Sequence, residues 1–362
     1  MGVASGNSKE LDDLVADDLD RCYRWLGDTV NHMAGSTVLV TGAAGFLGSY
    51  LVDFFSSLRR LGQGAPRSII ALDNYSTGSR DRLAHLVGRP DVTILDADIG
   101  DPVPLPQEVH YIVHAASIAS PVVYRRYPVE TIKANVMGTW NLLEVARKAN
   151  TRSFLFLSTS EIYGDPPPEH VPTPETYWGN VNPVGPRACY DESKRMGETL
   201  CSTYFHEYRI PVKVCRLFNV YGPRMSLEDG RLIPDLMKDA AQSRPLTLYS
   251  DGQATRSFCY VSKALYQLVC VLLSGENGEA YNVGDDEEVT VQQVAELVAD
   301  TMGGGLPLEY RRHSDKAYLT DNPLRRRPDL SRIRALTSST PSVALRTGLV
   351  RTARWYGLDV NP

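Results

Sequence analysis

The stretch VLVTGAAGFLGS, residues 38–49, decides the fold. An apolar run, Ser36–Val40, ends at three closely spaced glycines, Gly42, Gly45 and Gly48, and an amphipathic pattern from Phe46 to Arg60 follows. This predicts a strand that turns through glycine into a helix. Outward from it, Ser68–Leu72, Val92–Leu95, Val109–Val113 and Phe154–Leu157 read as buried strands, and Val129–Ala149 as a long helix. Such alternation predicts an α/β fold built on a doubly wound parallel sheet.

The 362 residues suffice for about two domains or one elaborated one. Residues 1–8 read as disordered, and apolar positions from Leu11 to Val30 recur at helical spacing. They predict one or two amphipathic helices, packed on the body or on a partner subunit. The Pro- and Gly-rich segment GDPPPEHVPTPETYWGNVNPVGP, 164–186, must be a loop, and a loop this long is usually functional. A helix, Arg187–Glu207, and a strand, Val212–Leu217, come next. Past Gly222 the alternation fades into helices at Leu232–Ser243, Val261–Ser274 and Thr290–Met302. The expected division is a helical extension over 1–35, a main domain over 36–220, and a smaller lobe over 221–362 whose late segments partly return to the sheet.

A net charge of −5 gives no reason to expect nucleic acid or a membrane surface as partner, so any anionic ligand must be held by local arginines. No stretch reaches the ~18 apolar residues of a membrane span, and the amino terminus is polar and acidic where a signal peptide is basic and then apolar. The six cysteines, at 22, 189, 201, 215, 259 and 270, show neither metal-ligand nor disulfide spacing. Reduced thiols in a cytoplasmic protein without a metal are the simple expectation.

A glycine turn at a helix start lets the backbone approach a pyrophosphate and aims amide N–H groups at it. Asp73, ending the second strand in IIALDNYSTG, would accept hydrogen bonds from an adenosine ribose and repel a 2′-phosphate, which favours NAD over NADP. Asp98, in DADIG after the third strand, is the expected neighbour of the adenine. In ACYDESK, Tyr190 and Lys194 stand at i and i+4 on one helix face. An ammonium near the phenol, with the positive nicotinamide, would lower the Tyr190 pKa towards neutrality, so that Tyr190 takes a proton from an alcohol as hydride leaves its carbon.

Together with Thr159 at a strand end, these motifs resemble the extended short-chain dehydrogenase/reductases over roughly residues 37–340, which implies a Rossmann-type domain with bound NAD. The resemblance implies that Thr159 hydrogen-bonds the reacting oxygen, Tyr190 is the base and Lys194 orients the cofactor ribose. It also implies cofactor contacts from Phe46, Leu47, Asn74, Ser76, Thr77, Gly78, Ile99, Ala115, Ala116, Ser117, Asn135, Ser158 and Phe218. Extended members act on nucleotide sugars, and LSTSEIYGDP, 157–166, distinguishes among them. Members that eliminate water carry an Asp–Glu pair after the Thr. Here Ser160 stands at the acid position, and a hydroxyl is too weak an acid to protonate a leaving group.

Ser160–Glu161 resembles instead the UDP-glucuronate decarboxylases, as do YWGNVNPVGPRACYDESKR (177–195), RLFNVYGPRMSLEDGRLIP (216–234) and ATRSFCYV (254–261). The resemblance implies oxidation at C4, loss of carbon dioxide from the resulting β-keto acid, and re-reduction to UDP-xylose. It places Glu161 beside C5, orienting the sugar or a proton-supplying water, and Arg256 at the sugar end, with Arg187 an alternative partner for the carboxylate. Pro121, Asn219, Arg224, Arg231 and Tyr249 are the implied UDP-sugar contacts, and RRRPD, 325–329, a further basic one. The resemblance also implies that the helices containing Val129–Ala149 and Tyr190–Glu207 pack against their mates in a homodimer or a larger assembly. The amino-terminal extension, GQATRSF (252–258) and HAASIASP (114–121) depart from the common pattern, and would suit a specialised antibiotic-sugar pathway. Open alternatives are a member that releases the 4-keto pentose nucleotide and NADH, an epimerase or 4,6-dehydratase, and a noncatalytic NAD-sensing relative.

Overall fold

The computed structural model describes residues 12–313, 320–337 and 341–360. The region expected to be disordered, 1–8, lies outside these. The chain enters through α1 (Asp13–Leu26), capped by the Asp12 carboxylate accepting from the Leu14 amide at 2.9 Å. Val15, Leu19, Cys22 and Leu26 fall on one face of α1 and are buried. That stripe joins the principal core, packing on α2 (Phe46–Leu61) and on a later helix, Val261–Ser274. Each such aliphatic side chain contributes about 1.5–3 kcal/mol on burial, so the extension is tied to the body.

β1 (Thr37–Thr41) leads through the glycine turn into α2, and β2 (Ser68–Asp73), β3 (Val92–Asp96) and β4 (Tyr111–His114) follow. Val109, expected within the fourth strand, is buried just before it. Next come α3 (Pro121–Arg126), α4 (Pro128–Ile132), α5 (Gly138–Lys148), β5 (Ser153–Thr159), α6 (Ala188–Tyr208) and β6 (Val212–Leu217). The helix expected over Val129–Ala149 is interrupted by a wide π turn at Lys133–Met137, where buried Asn135 donates to Ser193 Oγ on α6 at 2.8 Å. Periodicity of apolar residues does not register a single widened turn.

Beyond β6 the chain forms β7 (Val220–Tyr221), α7 (Leu232–Ala241), β8 (Leu246–Leu248), β9 (Thr255–Ser257), β10 (Cys259–Tyr260), α8 (Val261–Ser274) and β11 (Ala280–Val283). It ends with β12 (Glu288–Thr290), α9 (Val291–Thr301), β13 (Leu308–Tyr310), β14 (Arg325–Arg326), α10 (Ser331–Leu336) and α11 (Leu345–Trp355). β11 returns to the main sheet, which is parallel and seven-stranded in the order β11-β6-β5-β4-β1-β2-β3. Helices cover both faces, so β1 and β5 are buried at every position and read as continuous apolar runs. Strand order reverses at β1, between β4 and β2, and in such sheets the ligand crevice lies at this switch point, beyond the strands' carboxyl ends. A small sheet, β12-β9-β14, stands beside the crevice, with Arg326 in register with Arg256.

Candidate active site

The crevice begins at the glycine turn. Gly42 has φ +66°, and a Cβ there would lie 2.7 Å from the Ala116 backbone after β4. A Cβ on Gly48 would lie 1.9 Å from the Gly42 carbonyl oxygen, so only glycine lets α2 start this close to β1. Gly45 is the N-cap of α2, and Phe46 and Leu47 open its first turn. Asp73 accepts from the Ala44 amide at 2.8 Å and the Tyr75 amide at 2.7 Å. Burial raises its pKa, against those two bonds. Each of its oxygens retains a further lone pair. Asn74 bridges to Asp98 at 3.0 Å and accepts from the Ser76 amide, Ser76 and Thr77 are exposed, and Gly78 packs on Ala44.

On the other side of β1, Ala115 donates to the Thr41 carbonyl, while the Ser117 hydroxyl and Asn135 Oδ1 are buried without a hydrogen-bond partner. Ile99 is buried against Gly138. A cradle open only to glycine, an acidic strand end and orphaned polar atoms along one crevice fit a dinucleotide. The Ser158 hydroxyl is taken by Glu198 at 2.5 Å, and Phe218 is buried with Ile162 and Tyr163.

The reactive cluster gathers where β5 ends. The Glu161 amide donates to Thr159 Oγ1 at 3.2 Å, and Thr159 is close enough to the Tyr190 phenol to act on its ionisation. Ser160 is buried in the intervening turn, Ser160–Tyr163. Tyr190 stacks flat on Tyr124 with centroids 5.0 Å apart. Lys194, one turn further along α6, is buried, donates to the Leu157 carbonyl at 2.7 Å and lies over the Phe156 ring.

Glu161 is gripped by two arginines. Arg326 binds both of its oxygens, at 2.8 Å through one nitrogen, and Arg187, the N-cap of α6, binds Oε2. Burial would raise the Glu161 pKa, but Arg187 and Arg326 outweigh it and hold the carboxylate down at about 2. Arg256 faces the same group. Its own hydrogen bonds go to neutral acceptors, the carbonyls of Thr255 and Pro323, each at 2.7 Å, and Asn322 Oδ1 at 3.0 Å. Burial, then Arg326, pushes it down to about 9. Arg231 is held by Asp229 at 3.0 Å and acts on the Tyr190 phenol.

Two expectations need correction. The Tyr190 pKa is not lowered by the protein itself: burial pushes it up to about 12, with Thr159 and Arg231 pulling the other way. Lys194, itself pushed down to about 7 by burial, donates its hydrogen bond to the Leu157 carbonyl. Arg224, expected at the UDP, is buried in an ion pair with Asp53 of α2 at 2.6 Å and lies over the Tyr50 ring. A match of residue type did not show which way that side chain turns. Of the other implied contacts, Asn219 donates to the Ser257 carbonyl at 3.1 Å, Tyr249 meets His313 edge-on, and Pro121 opens α3. Arg326 was visible only as part of a basic run, because its role depends on β14 meeting β9 165 residues from Glu161.

The sequence profile of the NAD dependent epimerase/dehydratase family matches residues 38–284. UDP-glucuronic acid decarboxylase 1 of Arabidopsis thaliana is 42% identical over 87% of this chain and 68% of its own length. UDP-glucuronic acid decarboxylase 3 of the same plant is 39% identical over 90% of each chain. A dTDP-glucose 4,6-dehydratase from Streptomyces venezuelae, solved with NAD bound, superposes with a TM-score of 0.76 at 27% identity, covering 89% of this chain and 97% of its own. Within the NAD-dependent epimerase/dehydratase fold, and by likeness over nearly its whole length, this chain belongs to the UDP-glucuronate decarboxylase family of the extended short-chain dehydrogenase/reductases.

Proposed function

We propose that this chain converts UDP-glucuronate to UDP-xylose. The observation that carries the reading is the charge around Glu161, where Arg187, Arg256 and Arg326 face one ionised carboxylate beside Tyr190. Such a buried excess of positive charge suits a sugar that brings a second carboxylate. Gly42, Gly45, Gly48 and Asp73 would hold the cofactor, with Asp98, Ser117 and Asn135 along its length. When bound, NAD takes up hydride from C4 and later returns it.

Tyr190 receives the C4 hydroxyl proton, and Thr159 holds the same oxygen. The 4-ketone is then β to the C6 carboxylate, so carbon dioxide leaves with its bonding electrons passing into an enolate. Thr159 and Tyr190 stabilise that oxyanion. Glu161, pinned by arginines, stays ionised and aims the sugar or the water that protonates C5. A dehydratase would need an acid where Ser160 stands.

The test is incubation of the NAD-loaded protein with UDP-glucuronate, following carbon dioxide, NADH absorbance and product mass. Carbon dioxide with a pentose nucleotide and no accumulating NADH is expected. Stoichiometric NADH with a 4-keto pentose nucleotide would instead identify a releasing decarboxylase, and no carbon dioxide would overturn the assignment. A cytoplasmic setting accords with the six cysteines standing as free thiols. Among the described residues, no helix is long and apolar enough to cross a membrane. A homodimer accords with Val129, Ile132, Met137, Trp140, Met196 and Tyr208, apolar residues exposed on adjoining helices α4 to α6 and the π turn.

A further inference from the structure

Asp191 follows Tyr190 on α6, one turn from Arg187, and nothing above uses it. It is 4% exposed. Its Oδ2 lies 3.8 Å from Nε of Arg187, while its Oδ1 and that same Nε each lack a hydrogen-bond partner. A small rotation would bring the two into contact. The far end of the same guanidinium already meets Glu161, so two acids compete for one arginine.

The charged groups facing Asp191 are Glu161 from the turn after β5, Arg187 on its own helix, Arg326 of β14 and Asp321 before it. The phenols of Tyr124 on α3 and Tyr190 also adjoin it. Burial, then the charge on Glu161, pushes the Asp191 carboxyl up to about 8 against the pull of Arg187 and Arg326. At neutral pH it keeps its proton, leaving the three arginines to face Glu161 alone.

We propose that Asp191 is a positioning residue that acts through Arg187 to set the affinity of this site for a carboxylate-bearing sugar. Protonated, it leaves Arg187 to the incoming carboxylate; ionised, it draws Arg187 to itself and cancels one positive charge. This rests on the uronate reading above, and affinity can be measured without turnover.

The protein loaded with NADH cannot oxidise C4, so dissociation constants for UDP-glucuronate and UDP-glucose can be taken from about pH 6.5 to about 8.5, the range in which a carboxyl held near 8 titrates. UDP-glucuronate should weaken roughly threefold between about pH 6.5 and about 8.5, the part of the tenfold effect of one unit of coupling that is reached by that pH, while UDP-glucose stays level. Asp191→Asn should bind UDP-glucuronate tightly throughout. Arg256, held at about 9, also loses charge at alkaline pH, and it is retained in Asp191→Asn, so weakening that persists in that variant belongs to Arg256 and overturns the proposal. A level wild-type profile for UDP-glucuronate, or parallel weakening of UDP-glucose, also overturns it. Carbon dioxide release in the separate NAD assay decides the decarboxylase reading independently.

Discussion

At the residue scale the chemistry depends on which charges are held and by what. Removing Arg326 leaves Glu161 hydrogen-bonded by Arg187 alone and frees its aim. Arg326→Gln in the NAD-loaded protein is therefore expected to slow carbon dioxide release roughly 100-fold, the scale of losing one preorganised charge contact. An unchanged rate would show that the grip is only structural. Tyr190→Phe should lower kcat by at least about 100-fold while the binding of UDP-glucuronate to the NADH form is retained. Glu161 also carries a pH signature. Its pKa falls from an ordinary 4.5 to about 2 on folding, so its contribution to stability is present above about 4.5 and is lost as pH falls towards 2. Glu161→Gln should remove that part of the acid-unfolding curve, measured by circular dichroism. Thr159, Glu161, Tyr190 and Lys194 were legible because their motifs are local. Arg326 and the inward turn of Arg224 were not, since each is fixed by a partner distant in sequence.

At the element scale α6 delivers Arg187, Tyr190, Asp191 and Lys194 to one place, because its first two turns cross the end of β5. α1 does different work. Asp18, fully buried, accepts from the Tyr260 hydroxyl at 2.9 Å and pairs with Arg351 of α11 at 2.9 Å, fastening the amino-terminal helix to the carboxyl-terminal one. Burial raises the Asp18 pKa to about 6, with Arg351 and Tyr260 resisting. A raised carboxyl pKa means that stability falls as pH rises from about 4 through 6 and is level beyond. Arg351→Leu leaves that carboxyl without its cation and should cost about 3–5 kcal/mol in urea unfolding. Adding Asp18→Asn should recover much of the loss, and failure to do so would place the cost elsewhere. The helical spacing of Val15, Leu19, Cys22 and Leu26 forecast the helix, but not that Asp18 would be buried on it.

At the scale of the whole molecule, the exposed apolar face on α4 to α6 is the surface a second copy would cover. On the homodimer proposed above, Trp140→Glu with Met196→Glu should give a monomer in sedimentation velocity where the parent protein sediments as a dimer, and a coefficient unchanged between the two would rule out this face as an interface. The parallel sheet, the glycine turn and the order of the strand-end motifs were all readable along the chain. Those follow from apolar runs, glycine sterics and helix spacing, which act over a few residues. Which late strand rejoins the sheet, whether α1 packs on the body or on a partner, and that Arg326 meets Glu161 while Arg224 turns to Asp53 came only with the folded chain. The physical reason is that strand pairing and ion pairing between distant segments depend on how buried surfaces close together. No local pattern of residues encodes which arginine will face which carboxylate once they do.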